Sequence, residues 1–322
     1  MKVDSSTIDK QLRSAGFWVN LISYPSITLF KLARYFSAKS IGKNIDGLDC
    51  TERWIPRKSE NSTIRIKIYK PVDAASDLPV LLYCHGGGYA ITVPEMSHAQ
   101  IEQFSKERAC VIVAPDYRKS LEKPYPAALN DCYDTLLWIK DNATELGAKT
   151  DQIMIGGHSA GGGLTAALTL LARDRKEVNI SFQMPIYPMI DDRMTSTSAF
   201  NNTAPIWNGK MNTLGWKLYL KGLHARNEPI PIYAAPSRAT DYSNLPPTAT
   251  YVGDLEPFRD ETIDYVEHLK KEGIPVNFKL FEGCYHGFDA IVPNADVSKA
   301  ATRFILDAFG YAIDNYTASQ KS

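Results

Sequence analysis

The 322-residue sequence lacks an excess of charge of either sign, since 36 Lys and Arg stand against 36 Asp and Glu. With no global field to attract a polyelectrolyte, nucleic-acid binding is not expected. Cysteine is scarce: Cys50, Cys84, Cys110, Cys132 and Cys284 are the only five, and no two form a CxxC pair. Their odd number, and the apolar runs around Cys84 and Cys110, predict reduced thiols that pack as small hydrophobes rather than a disulfide framework or a thiolate metal site. A secretory leader is not expected either, because Asp9, Lys10 and Arg13 precede an apolar stretch that has no small-residue cleavage site. That stretch, residues 16–36, is the most apolar of the chain, yet Asn20, Lys31 and Arg34 interrupt it and Pro25 breaks it. It predicts a pair of amphipathic helices on the protein's own surface, with contact to a membrane surface as the alternative to plain packing. Stable membrane insertion is not expected, and a cytoplasmic location is.

What is present is an ordinary compact composition, 44% hydrophobic and 22% charged, with no internal repeat. The runs 48–56 and 63–71 roughly alternate and leave no room for a helix between them, so they are expected to pair antiparallel at a sheet edge. The runs 79–88, 110–118 and 152–162 are nearly continuous in apolar residues, as strands covered on both faces are. Further strands are expected at 180–188, 247–254 and 276–283, about eight in all, with crossover helices at 128–146 and 259–273. Between 189 and 246 this rhythm is lost in a segment rich in Asn, Pro and Trp, long enough to be an inserted cap. The expected division is N-terminal helices in 1–45, a cap insertion in 189–225, and an α/β domain in 46–188 and 226–322.

Two motifs carry chemistry. The pentapeptide GHSAG, residues 157–161, follows the apolar IMIG and precedes a helix-compatible run. A sharp strand-to-helix turn there would expose the Ser159 hydroxyl at the strand's end, and small residues at Gly157 and Gly161 would avoid collision. HGGGY, residues 85–89, ends another apolar run with three glycines whose amides no side chain shields. Acyl transfer needs such donors, because an oxyanion held by preorganised amides gains about 3 kcal/mol from each. Gly87 and Gly88, with the amide of Ala160, are the expected oxyanion hole. His85 is read as ordering the loop. A phosphate-cradling loop is disfavoured, since neither a suitably placed lysine nor the G-x-G-x-x-G spacing is present.

The serine needs a base and the base an orienting acid. Among six histidines, only His286 follows a strand that could end beside the nucleophile. His98 and His268 lie in helix-like stretches where solvated surface is expected, His158 should point away, and His224 sits in the cap segment. For the acid, Asp254, Glu256, Asp260 and Glu261 are all available on spacing alone.

The ordered set HGGGY, PDYRKSLEKPYPAAL, GHSAGGG, GDLEPFRDE and HGF resembles the hormone-sensitive-lipase group (family IV) of α/β-hydrolases, which includes bacterial carboxylesterases and arylacetamide deacetylase. The resemblance runs from about residue 79 to 310. It implies an α/β-hydrolase fold, an eight-stranded mostly parallel sheet with helices on both faces and a helical cap. It also places Glu256 on the triad acid, where relatives usually carry aspartate in D-P-L-R-D-E. Implied further are hydrolysis of short-chain carboxylic esters through an acyl-enzyme, small-molecule ester substrates, no metal or organic cofactor, and a homodimer through the sheet edge near 276–282. Asp116, Tyr117 and Arg118 read as structural. Trp207, Trp216 and Tyr219 either line a pocket or pack the cap's own core. The alternatives are a non-catalytic binding protein on the same fold and amide, lactone or acyl-transfer chemistry in the same site.

Overall fold

The computed structural model describes residues 1–22, 24–74 and 76–320, the side chains of 20–22 aside, so Asn20 lies outside the described side chains. Eight strands form one sheet: β1 (Leu48–Pro56), β2 (Thr63–Pro71), β3 (Leu78–Cys84), β4 (Val111–Pro115), β5 (Ala148–His158), β6 (Phe182–Ile186), β7 (Thr248–Gly253) and β8 (Val276–Phe281). Their spatial order is β1-β2-β4-β3-β5-β6-β7-β8. As expected, β1 and β2 pair antiparallel, Trp54 opposite Arg65, and β2 joins β4 antiparallel. The remaining neighbours run parallel.

The apolar runs become central strands because both their faces are covered. Val80, Leu81, Leu82, Ile112, Val113, Ile153 and Ile155 have no accessible surface. Burial of such side chains contributes about 1.5–3 kcal/mol each relative to exposure. The covering helices are α1 (Arg13–Ile22), α2 (Ile27–Ala38), α3 (His98–Glu107), α4 (Ala127–Asp141), α5 (Ala143–Leu146), α6 (Ala160–Arg175), α7 (Gly209–Tyr219), α8 (Lys221–Ala225), α9 (Arg259–Lys271), α10 (Phe288–Ile291) and α11 (Asp296–Asn315). Helix α6 packs on β5 and β6 and is buried almost throughout. Helix α9 stops before Gly273, whose φ of 72° ends the helix in a left-handed turn.

Strand order positions the site. From β3 the chain moves to β4 on one side, whereas β5 lies on the other, with Tyr83 opposite Gly156 and Cys84 opposite Gly157. The loops leaving β3 and β5 therefore diverge and open a crevice at the strands' carboxyl ends, where ligands of open parallel sheets bind. Two segments lie over it. One is 1–47, with α1 and α2. The other is 187–247, between β6 and β7, with α7 and α8. They touch each other: Val3 N donates to Thr203 Oγ1 (2.9 Å), Thr203 N to Met1 O (3.1 Å), and Phe30 packs on Trp207.

Candidate active site

Ser159 stands between the end of β5 and the start of α6 at φ 60°, ψ −123°, a conformation that only glycine adopts without strain. The turn is that tight because the β3 backbone passes directly beneath it. A Cβ on Gly157 or Gly161 would run into the Cys84 carbonyl. The turn lifts the Ser159 hydroxyl toward the loop after β8, where His286 Nε2 lies 2.8 Å from Oγ. His286 Nδ1 meets Glu256 Oε2 at 2.5 Å, and the other oxygen, Oε1, accepts from the Gly253 amide at 2.7 Å. Both carboxylate oxygens are thus occupied, which fixes the side chain. The edges of Tyr187 and Phe258 meet the imidazole, each 4.9 Å between centroids, and hold its plane. Ser159, His286 and Glu256 are all buried. Burial pushes the Glu256 carboxyl above its ordinary pKa, while the imidazole and the Gly253 amide pull it back.

The other acids that spacing allowed are employed elsewhere. Asp254 Oδ1 accepts from Cys284 N at 3.2 Å, tying the ends of β7 and β8. Asp260 accepts from Ser198 N (2.7 Å) and from Arg259 Nε (2.7 Å), and so anchors the 187–247 segment. Burial alone would raise the Asp260 pKa, but Arg259 and Ser198 outweigh it and lower it. Glu261 is buried with Oε1 accepting from Ile190 N (2.7 Å) and Asp191 N (3.2 Å). Of the four, only Glu256 reaches His286.

Above Ser159 the chain turns through Gly87 (φ 96°) and Gly88 (φ 57°). Among the described residues, the amides of Gly87, Gly88 and Ala160 donate to no protein acceptor. Ala160 also begins α6, whose dipole favours negative charge at that end. A Cβ on Gly88 would strike the indole of Trp207, so the 187–247 segment lies directly on this loop. Trp207 Nε1 in turn donates to Asn212 Oδ1 at 3.3 Å. Below, His85 orders the loop: its ring stacks on Tyr117 (4.1 Å, 11°), its Nδ1 meets Thr92 Oγ1 at 2.8 Å, and Tyr117 OH donates to His85 O at 2.8 Å. Burial holds the His85 pKa well below its ordinary value, so the ring is neutral.

Asp116, Tyr117 and Arg118 are structural, as expected. Arg118 forks onto Asp131 (2.9 and 3.0 Å), and Asp116 pairs with Arg65 and Lys119. His158 points away from the site to Tyr83 OH at 3.1 Å, and burial, then His286, lowers its pKa to about 4. Trp216 and Tyr219 pack around Tyr89, whereas Trp207 reaches the site. One expectation fails: His98 is not solvated surface but half-buried against Tyr69 OH at 3.1 Å, because the start of α3 packs against β2. Thr92, Phe258 and the buried Lys119, which donates to the Tyr117 carbonyl, escaped the sequence reading. Of these Lys119 and Phe258 lie in motif blocks, whereas Thr92 does not. Clefts also occur at the opposite, amino end of the strands, one of them lined by Arg173, Asn179, Pro246 and Pro247. The hydrogen-bonded chain, not concavity, marks the site. No group of three or more His, Cys, Asp or Glu among the described residues is arranged to hold a metal.

This arrangement has counterparts in known proteins. The family model described as alpha/beta hydrolase fold matches residues 81–290. Esterase LipI of Mycobacterium tuberculosis is 30% identical over 280 residues, 82% of this chain and 86% of that protein. An arylesterase of Saccharolobus solfataricus is 31% identical over 234 residues, 72% and 74% of the two chains. The solved structure of a bacterial heroin esterase superposes with a TM-score of 0.87 at 34% identity, covering 96% of this chain and 98% of that one. The chain therefore belongs to the α/β-hydrolase fold family, in the hormone-sensitive-lipase-like group that its motifs resemble.

Proposed function

We propose that this protein is a serine carboxylesterase that hydrolyses short-chain carboxylic esters through an acyl-enzyme, with Ser159 as nucleophile, His286 as base and Glu256 as orienting acid. The observation that carries it is the continuous buried chain from Ser159 Oγ through His286 to Glu256, beside the free amides of Gly87, Gly88 and Ala160. Ser159 Oγ attacks the ester carbonyl as its proton passes to His286 Nε2. Glu256 stabilises the imidazolium, and the three amides take the oxyanion. His286 then protonates the departing alcohol, and a water deprotonated by the same ring releases the acid. This cycle requires neither metal nor organic cofactor. Relatives named esterase, carboxylesterase and arylesterase support the same substrate class.

Residues 1–45 and 189–225 form the cap over a catalytic domain made of 46–188 and 226–322, a division supported by the contacts of Thr203 and Trp207 with the N-terminal segment. Trp207 against Gly88 supports a narrow acyl pocket and hence short acyl groups. The edge strand β8, with Asn277, Lys279 and Leu280 exposed, supports a homodimer through 276–282. Five unpaired thiols support a cytoplasmic location.

The test is turnover of p-nitrophenyl acetate, butyrate and octanoate by the wild type and Ser159→Ala, with folding checked by circular dichroism. Turnover that falls with chain length and vanishes in the variant is expected. A folded wild type inert on all three overturns the reading, and rates that peak at octanoate overturn the short-chain preference. Small-angle scattering that gives a monomer mass overturns the dimer.

A further inference from the structure

The outer face of the N-terminal helices is unlike the rest of the surface. Among the described residues, fifteen large hydrophobic side chains are exposed, and nine of them fall within residues 17–41. Helix α2 is apolar on two sides. Phe30 and Ser37 face inward and are buried, while Leu32, Tyr35 and Phe36 face out, Tyr35 being 61% exposed. On α1, Phe17 and Trp18 are exposed as well. The inner side already has its partners, for Phe30 packs on Trp207 and Gly16 lies against Tyr285. The outward stripe therefore remains after the fold is complete. Exposed apolar side chains concentrated in this way mark an interaction site.

Charge selects the occupant. Residues 10–45 contain Lys10, Arg13, Lys31, Arg34, Lys39 and Lys43 and not one acid, in a chain whose overall charge is zero. The Lys39 ammonium sits 4.9 Å from the ring centroids of both Tyr35 and Phe36, so cation and aromatics share one patch. Aromatic side chains with one polar end, interleaved with lysines on helices too short to cross a bilayer, are matched to the headgroup layer of an anionic membrane. We infer that the outer face of α1 and α2 docks the folded protein on an anionic lipid surface, with Trp18, Leu32, Tyr35 and Phe36 entering the interface and Lys31 and Lys39 meeting headgroup phosphates. This docking does not depend on the chemistry proposed for Ser159.

Co-sedimentation of the full chain with vesicles of phosphatidylcholine alone, or of phosphatidylcholine mixed with phosphatidylglycerol, tests it. The wild type is expected to pellet with the anionic vesicles, weakly with the neutral ones, and less as salt screens the lysines. Leu32→Ser/Phe36→Ser and, separately, Lys31→Glu/Lys39→Glu are expected to lower anionic binding at least tenfold. Circular dichroism and turnover of a soluble ester should be unchanged, because these side chains touch nothing in the site. Absence of anionic binding, equal binding to neutral vesicles, or unaltered binding by both double variants overturns the inference. So does a solution dimer that Leu32→Ser/Phe36→Ser dissociates, because the face would then be covered by a second copy of the chain.

Discussion

In the proposed triad Glu256 would do with one more methylene what aspartate does in the family's usual motif, and the Gly253 amide on Oε1 holds the longer side chain in place. Removing only its charge, by Glu256→Gln, should lower kcat about 10³-fold or more with KM little changed, because the ion acts on the imidazolium of the transition state. Asp254→Asn and Asp260→Asn, which touch loops rather than His286, should stay within about tenfold of the wild type on the same assay. The neighbouring Glu261 tests a different property. Burial raises its pKa well above the ordinary 4.5, and its Oε2 has no hydrogen-bond partner. From 4.5 upward to the raised native value, the folded state then binds more protons than the unfolded one, so its stability falls as pH rises. Glu261→Gln keeps an acceptor for Ile190 N but cannot ionise. Its melting temperature, measured against the wild type, should gain between pH 5 and pH 8. The meeting of Ser159 and His286 was legible because GHSAG and the strand before His286 tie chemistry to local geometry. The acid was legible only through the motif resemblance, since on spacing alone four carboxylates share one short stretch and only the burial and reach of their side chains separate them.

At the scale of the element, the eight strands could be read because each central one is a short apolar run with both faces covered. The antiparallel start was equally plain, as no helix fits between β1 and β2. The run 79–88 was bounded as one strand although its HGGGY end was read as a loop of unshielded amides; β3 stops at Cys84, and Gly87 and Gly88 beyond it turn out through positive φ. Least legible was where the cap meets the site. Nothing in the spacing of Trp207 announces that its indole rests on Gly88. Truncation by Trp207→Ala should open that contact and raise kcat/KM for octanoate relative to butyrate by about tenfold, the range a few methylenes in an apolar pocket command. Unchanged chain-length dependence would show that the indole does not limit the acyl pocket. The turn between β5 and α6 has no such tolerance. Gly161→Ala drives a methyl into the Cys84 carbonyl, which belongs to backbone, and should destabilise the protein by at least about 1–3 kcal/mol in urea unfolding.

For the whole molecule, acid is the expected weakness. His158 is buried and neutral with a pKa of about 4, below its ordinary 6.5, and His85 is likewise depressed. The unfolded chain takes up these protons first, so stability should fall as pH drops from 6.5 toward 4. His158→Gln, which can still meet Tyr83 OH, should flatten that slope in a pH series of melting temperatures. The backbone at Ser159 has a consequence in the opposite direction. The entire sheet holds one side chain in a conformation natural only to glycine, at a cost of about 1–3 kcal/mol. Ser159→Gly should therefore melt above both the wild type and Ser159→Ala while hydrolysing nothing. The most durable version of this fold is then an inert one, and any selection for heat resistance alone would erode the enzyme at its nucleophile first.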